Sequence, residues 1–516
     1  MPEPFSSPFR LPALLLLLAL GGCATLSLPR PAGHPVSRAL SAPEETRLGG
    51  IAAAESARHG ERSGFALLAS GPDALAVRSD LVDLAERTLD VQYYLWDDDA
   101  SGRLLTAALL RAANRGVHVR ILLDDAHTVG RTSDLSLLDA HPNIEVRLFN
   151  PFANREWRLA DVLREFPRIN HRMHNKALIA DNAAAVAGGR NVGDAYFTAD
   201  AAANFRDLDL LAAGPVVREL SRSFDDFWNS GWSVPVRSLV RERAEPRRLR
   251  RLSGRLEANA ESADTLPFRR EIGQAGPDDL LRRLRDGLVW GEATVVADRP
   301  DKPETEHPLL LEGLRTLLGE SGRREVLIES AYFIPSGDEI RGLCGLVAAG
   351  SHVRVLTNSL ASTDVLLAYV GYAKRRARLL RCGVELYELR ADARLVRRWR
   401  WLTGRSTAAL HTKAIVVDRR QVVVGSFNLD PRSAKLNTEL AVVIDSPELA
   451  AETADFVEEG MAPENAWRLT LDPHGRTVWL GDDRDGPVRL ARPPTAGFWR
   501  GLGLHFLWPL PLDGQL

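Results

Sequence analysis

Two stretches of the 516-residue chain carry side chains that can act on a phosphate ester. The first is His174-Asn175-Lys176-Ala177-Leu178-Ile179-Ala180-Asp181, and the second is His411-Thr412-Lys413-Ala414-Ile415-Val416-Val417-Asp418. Both read H-x-K-x-x-x-x-D. The apolar quartet after each lysine has the character of a buried strand, and on a strand residues i and i+2 face the same way. His174 therefore shares a face with Lys176, and His411 with Lys413. A cation of this kind attracts the anionic oxygens of a phosphodiester while the imidazole attacks phosphorus or supplies a proton. Lysine is scarce in this chain, occurring only at positions 176, 302, 374, 413 and 435, yet two of the five fill the same motif slot. Its compact point charge is not interchangeable with the planar fork of arginine.

Further residues follow each motif in register. In Gly188-Gly189-Arg190-Asn191 the asparagine trails His174 by the same interval at which Asn428, in Gly425-Ser426-Phe427-Asn428, trails His411. The glycines predict a hairpin that returns an amide donor to the side of each His–Lys pair. Asp207 and Glu439 lie beyond. A carboxylate that accepts from one imidazole nitrogen leaves the other free and oriented. Asp181 and Asp418 end apolar strands, where a carboxylate supports a turn, so they are read as structural. Ser426 stands where the first copy has Gly189 and is assigned no essential chemistry. One His-x-Lys on a strand would be an ordinary edge pair; the duplication gives the pattern its weight.

The elements that must position these residues are themselves repeated. A strand at 89–96, a helix at 104–114, a strand at 116–123 and a strand at 144–148 recur as 326–333, 340–349, 350–357 and 384–387. The interval from His174 to His411 equals the interval between the matching strand positions Val91 and Ile328. Strand–helix–strand grammar predicts an α/β fold in two halves, each with a partly parallel sheet covered by helices. The boundaries read as repeats over 61–230 and 301–470, a linker or insertion over 231–300 where the periodicity fades, and a tail over 471–516. Arg247-Arg248-Leu249-Arg250-Arg251 within the linker reads as a solvated helix face.

The remaining composition narrows the class. A net charge of −2 and 45% hydrophobic residues describe a globular chain rather than a polytopic membrane protein, a disordered tail or a dedicated nucleic-acid binder. Cys23, Cys344 and Cys382 make neither a disulfide framework nor a four-cysteine zinc site. Residues 11–20 are almost wholly apolar, follow Arg10 and are too short to span a bilayer, so 1–22 reads as a secretory signal. It ends Leu20-Gly21-Gly22-Cys23, which resembles the lipobox of bacterial lipoproteins. That implies lipidation of Cys23, a Pro/Ser/Ala-rich tether over 23–60, and a cell-envelope location facing the periplasm, on the inner or outer membrane. Arg394-Leu395-Val396-Arg397-Arg398-Trp399-Arg400-Trp401 and the aromatic run 498–508 have the composition of membrane-interfacial segments.

The duplicated H-x-K-x4-D pair is similar to the signature of the phospholipase D superfamily, and the runs 89–96, 101–105, 145–152, 171–176, 188–197 and 425–433 most resemble the bacterial cardiolipin synthase C group. The resemblance implies two similar α/β sandwich repeats with mixed sheets and one active site at their pseudo-two-fold interface. It implies that His174 attacks the phosphodiester to form a phosphohistidine, while His411 protonates the leaving alcohol and then deprotonates the acceptor. Lys176, Lys413, Asn191 and Asn428 would clamp the phosphoryl oxygens, and Asp207 and Glu439 would orient the imidazoles. No metal or other cofactor is implied. The substrates would be phospholipids, phosphatidylglycerol with phosphatidylethanolamine as a second candidate, at a membrane surface; no nucleic acid and no particular protein partner is indicated. Transfer to a phosphatidylglycerol hydroxyl yields cardiolipin, whereas transfer to water yields phosphatidic acid. The rival readings are a secreted nuclease or phosphodiesterase on the same scaffold, and a non-catalytic envelope binding protein, against which both intact motifs argue.

Overall fold

The computed structural model describes residues 35–200, 202–240, 246–261, 276–305, 307–397, 407–483, 486–494 and 507. The expected signal, Cys23 and the first part of the tether lie outside these residues, as do 398–406 and almost all of 498–508.

The apolar runs become strands in two matching sets. The first half contributes β1 (Ser63–Leu68), β2 (Thr88–Tyr93), β3 (His118–Asp124), β4 (Ile144–Phe149), β5 (Ala177–Ala180), β6 (Ala184–Gly188), β7 (Ala203–Arg206), β8 (Asp209–Ala213) and β9 (Ser233–Pro235). The second contributes β10 (Val289–Ala297), β11 (Glu325–Ser330), β12 (His352–Asn358), β13 (Glu385–Leu389), β14 (Thr407–Leu410), β15 (Lys413–Val417), β16 (Gln421–Gly425), β17 (Leu440–Asp445), β18 (Ala466–Leu471), β19 (Thr477–Asp483) and β20 (Gly486–Leu490). The first sheet runs β1-β8-β6-β5-β2-β3-β4-β9. The second runs β10-β17-β16-β15-β11-β12-β13-β18. The two orders correspond strand for strand, with a parallel trio in each (β2-β3-β4 and β11-β12-β13) flanked by antiparallel partners. This is the mixed-sheet duplicated α/β architecture expected from the repeat.

The strands are apolar on both faces because both faces are covered. Three core clusters result. One packs the outer face of the first sheet against α1 (Gly71–Leu84) and α2 (Ala100–Asn114). Another packs the outer face of the second sheet against α4 (Leu309–Gly319) and α5 (Gly337–Ala348). The central cluster is shared: α3 (Pro215–Trp228) and α6 (Pro447–Met461) lie between the halves, burying Phe224, Phe227 and Trp228 with Leu449, Ala454 and Val457. The Glu219 carboxylate on α3 accepts from the Val295 amide of β10 at 2.8 Å, across the repeat boundary.

Residues 231–300 hold more than a connection. They contain β9, helices Pro246–Glu261 and Pro277–Asp286, and β10. Strand β10 pairs antiparallel with both β1 and β17 and so joins the two sheets edge to edge into one of 18 strands. Its pattern is illegible in the sequence because most of its residues are only partly buried. The arginine run does form a solvated helix face, with Leu252 and Leu256 turned inward. Within the expected tether, residues Arg47–Arg58 form a helix that buries Leu48. In the expected tail, β19 and β20 extend the second sheet beyond β18. Cys344 and Cys382, which no spacing rule pairs, form a disulfide with Cα atoms 5.4 Å apart across 38 residues of sequence.

The hairpin turns do not fall at the motif glycines. They fall at Asp181–Asn182 and Asp418–Arg419, where each pair has positive φ, the conformation that matches the twist of paired strands. Gly425 serves a different purpose. A Cβ there would fall inside contact distance of the Leu440 carbonyl oxygen on β17. Gly425→Ala is therefore expected to cost roughly 1–3 kcal/mol in denaturant unfolding. Gly345→Ala, in α5 where a Cβ meets open space, is expected to be neutral or stabilising by up to about 1 kcal/mol.

Candidate active site

Chain segments that precede the two motif strands cross from one half to the other. Strand β14 pairs in parallel with β7, Thr407–Leu410 against Ala203–Arg206. On the opposite side of the pseudo-dyad, Met173 forms a parallel bridge with Thr438. One residue further along these ladders, His411 comes beside Asp207 and His174 beside Glu439. The Nδ1 of His411 donates to Asp207 Oδ2 at 2.6 Å. The Nδ1 of His174 donates to Glu439 Oε2 at 2.9 Å, with the Ser426 carbonyl a second acceptor at 3.1 Å. Each imidazole is thus oriented by the carboxylate of the other repeat, and its Nε2 is left for chemistry.

The two carboxylates reach their partners by different routes. Glu439 is held by the hydroxyls of Ser426 and Ser433, the latter at 2.7 Å. Asp207 is one methylene shorter, and its Oδ1 occupies the space that a Cβ on residue 189 would need. Gly189 with Asp207 and Ser426 with Glu439 are therefore matched pairs. The serine hydroxyl supports the longer acid, and the glycine makes room for the shorter one.

Lys176 and Lys413 are buried, and their ammonium groups donate to the carbonyls of His174 and His411. Lys413 Nζ also lies 3.0 Å from His411 Nδ1. That nitrogen donates to Asp207 and cannot accept as well, so the lysine acts there by charge. Burial, with Glu439 opposing and Lys413 reinforcing, lowers the pKa of Lys176 well below the usual lysine value. Burial also lowers Lys413. His174 is pushed down to about 4, first by burial and then by Lys176 and Lys413, against the raising effect of Glu439. Burial and Lys413 lower His411. Burial alone would raise both carboxylates, but His411 and Lys413 hold Asp207 below its ordinary value, and His174 and Lys176 do the same for Glu439. Burial and the neighbouring lysines thus shift both imidazoles toward their neutral forms.

The asparagines differ. Asn191 donates to the Tyr196 hydroxyl at 2.9 Å and accepts from the Leu95 amide at 3.2 Å. Asn428 is buried, and its Oδ1 has no hydrogen-bond partner among the described residues. Asp181 and Asp418 sit at the far ends of β5 and β15. Asp181 caps the start of β2 through the amides of Glu86, Arg87 and Thr88 at 2.8–2.9 Å. Asp418 caps the start of β11 through the Arg324 and Glu325 amides at 2.7 and 3.0 Å.

Several contributors are not singled out by the sequence. The Tyr94 ring stands edge-on to His174 with centroids 5.0 Å apart, and Tyr196 does the same to His411 at 5.0 Å. In the register of the repeat Tyr94 corresponds to Ala331, so a search built on duplication passes over it. Lys302, another of the five lysines, is buried behind Glu439. It pairs with Asp298 at 2.7 Å and donates to the carbonyls of Ser433 and Asn437. The scarcity of lysine is visible in the sequence; the address of Lys302 is not. Asp430, two residues past Asn428, is buried and pushed up to about 7, mainly by burial.

A family model described as "Cardiolipin synthase, PLD-like domain" matches residues 79–228 and 314–459, spans that contain both motifs and both carboxylates. The chain is 39% identical over 469 residues to cardiolipin synthase C of Escherichia coli (strain K12), covering 89% of this chain and 97% of that protein. It is 26% identical over 396 residues to cardiolipin synthase A of Pectobacterium carotovorum subsp. carotovorum (strain PC1), covering 74% of this chain and 65% of that one. Among solved structures, phosphatidylserine synthase from Haemophilus influenzae Rd KW20 is similar in fold, with a TM-score of 0.50 at 13% identity over 80% of this chain and 91% of the other.

The crossed pairing makes a specific titration prediction. The Glu439 charge opposes the fall of the His174 pKa, so Glu439→Gln is expected to drive it further below about 4 and leave His411 little changed. Asp207→Asn is expected to lower His411 instead. Nitrogen-15 histidine NMR over a pH series reads both, and the opposite assignment would overturn the pairing.

Proposed function

The chain belongs to the family of PLD-like cardiolipin synthases, and on that premise we propose that it makes cardiolipin by moving a phosphatidyl group from a donor phospholipid to the glycerol hydroxyl of phosphatidylglycerol, through a phosphohistidine. The observation that carries this reading is the pair of imidazoles with Nδ1 bound to a buried carboxylate and Nε2 unengaged, beside two buried lysines.

In this reading Nε2 of His174 attacks phosphorus, and a P–N bond replaces the bond from phosphorus to the leaving headgroup oxygen of the donor lipid. His411 gives its Nε2 proton to that oxygen. The hydroxyl of the acceptor lipid then attacks the phosphohistidine, returns its proton to His411, and the P–N bond breaks. Lys176, Lys413 and Asn428 are the groups assigned to the phosphoryl oxygens, and Asn191 is assigned alongside them through an amide already shared with Tyr196. The first step needs His411 protonated. Burial and Lys413 by themselves favour its neutral form. An entering phosphodiester brings a negative charge that offsets the lysines, so substrate binding is expected to take up a proton.

The disulfide supports a place outside the reducing cytoplasm, in keeping with a signal segment and anchorage at Cys23. Among the described residues no helix is long and apolar enough to cross a membrane.

His174→Ala and His411→Ala are each expected to abolish product formation while the chain stays folded, with a lowered unfolding temperature because each removes the donor to a buried carboxylate. The defining assay incubates the full chain with phosphatidylglycerol, with and without phosphatidylethanolamine, and reads cardiolipin against phosphatidic acid by mass. Phosphatidic acid alone would make the protein a hydrolase. Cleavage of DNA with neither lipid consumed would sink the lipid reading.

A further inference from the structure

Among the described residues only eight large apolar side chains are exposed, and six of them lie in segments that leave the C-terminal ends of β3, β4 and β12. They are Val129 (67% exposed), Trp157 (72%), Leu159 (69%), Leu163 (79%), Phe166 (43%) and Val365 (36%). Val129 follows β3, the run 157–166 follows β4, and Val365 follows β12. In each repeat these strands are parallel to the one whose C-terminal end lies beside the motif: Gln92 pairs with Ala177, and Ser330 with Lys413. The exposed apolar groups therefore surround the end of the sheets at which His174 and His411 sit. Folding gains nothing from leaving them in water, and exposed large apolar groups gathered on one side of a site point to an interaction surface.

The segment between β4 and β5 is built to hold such groups outward. Leu159 and Leu163 are one turn apart on the helix Arg158–Arg164, and Phe166 opens the short helix Phe166–Ile169 that follows it. The opposite face is anchored. Asp161 is buried and accepts from the Asn154 amide at 2.7 Å. Arg158 donates to the Asp125 carbonyl at 2.7 Å and to the Thr128 hydroxyl at 3.1 Å, one residue from Val129. The neighbouring Asp124 accepts from the Met173 amide at 2.8 Å, immediately before His174. The outward stripe is thus fixed to the backbone that carries the first imidazole. Arg164 is exposed beside Leu163, and Glu156 is exposed beside Trp157.

We propose that this rim, centred on Trp157, Leu159, Leu163 and Phe166, inserts into the interfacial region of a phospholipid bilayer and sets the active-site mouth against it. The proposal rests on the phospholipid reading above and adds where the membrane is met. A Trp at the head of a short helix with two exposed leucines on one face, followed by an exposed phenylalanine, is a composition that settles at the boundary of headgroups and acyl chains. A rim of this kind lets a lipid pass into the site without its chains crossing water.

The test uses the full chain on vesicles of phosphatidylglycerol and phosphatidylethanolamine, and on a short-chain phosphatidylglycerol kept monomeric. Bromine-labelled acyl chains are expected to quench part of the tryptophan emission in the parent, and that part is expected to be missing in Trp157→Phe. Leu159→Asp with Leu163→Asp, both at exposed positions, is expected to lower turnover on vesicles about tenfold or more while leaving turnover of the monomeric lipid within about twofold. Equal turnover on vesicles by parent and variant would overturn the proposal, as would an equal loss on both substrates. So would unchanged vesicle turnover with loss of a co-purifying protein, since the rim would then serve a protein partner. If the parent consumes neither lipid, the functional reading fails, and the quenching difference still decides the membrane contact.

Discussion

The structure depends on two imidazole–carboxylate contacts that cross between its halves. His174 is oriented by Glu439, and His411 by Asp207, each at hydrogen-bond distance and out of reach of bulk water. Neither motif histidine takes its carboxylate from its own repeat. The crossing follows from backbone geometry: the segments ahead of the two motif strands pair in parallel with segments of the opposite repeat, so the residue after each ladder falls beside the other repeat's acid. Burying two lysines and two carboxylates in one place is unfavourable unless the charges are matched and hydrogen-bonded. Here each motif histidine is hydrogen-bonded to a carboxylate, and each lysine to a backbone carbonyl.

That interface has to be rigid, and the scaffold around it is continuous. Strand β10 pairs with β1 on one side and β17 on the other, so the sheets of the two repeats share one hydrogen-bonded edge. Helices α3 and α6 fill the space between the halves with a common apolar core. The imidazoles are therefore held by strands on each side and by packing beneath them, rather than by loops alone. Lys302 adds support behind Glu439 by tying the carbonyls of Ser433 and Asn437 to Asp298.

The pseudo-symmetry is broken around the two histidines to which the proposed mechanism gives different roles. Gly189 clears space for the short acid Asp207, whereas Ser426 donates to the longer Glu439. Asn191 is tied to Tyr196, while the Asn428 carbonyl oxygen is unpartnered among the described residues. Tyr94 flanks His174 where the second repeat has only Ala331 at the corresponding position. Such differences suit a site in which one imidazole attacks and the other moves protons, because the two then need different surroundings.

Much of this is legible in the sequence because it is local. A period of two puts His and Lys on one face of a strand. One constant offset along the chain marks both motifs, their asparagines and the strands that carry them as copies. These statements need only the neighbours along the chain and a comparison of its two halves. What the tertiary structure alone decided depends on residues far apart in sequence. Which carboxylate serves which histidine is set by ladders that join segments of opposite repeats. The joining role of β10 is hidden because a half-exposed strand has no clean apolar pattern, and the Cys344–Cys382 bridge because its two ends meet only in the fold. The apolar rim is hidden for a complementary reason. Trp157, Leu159, Leu163 and Phe166 look in sequence like core residues of a short helix, and only packing reveals that no core lies over them.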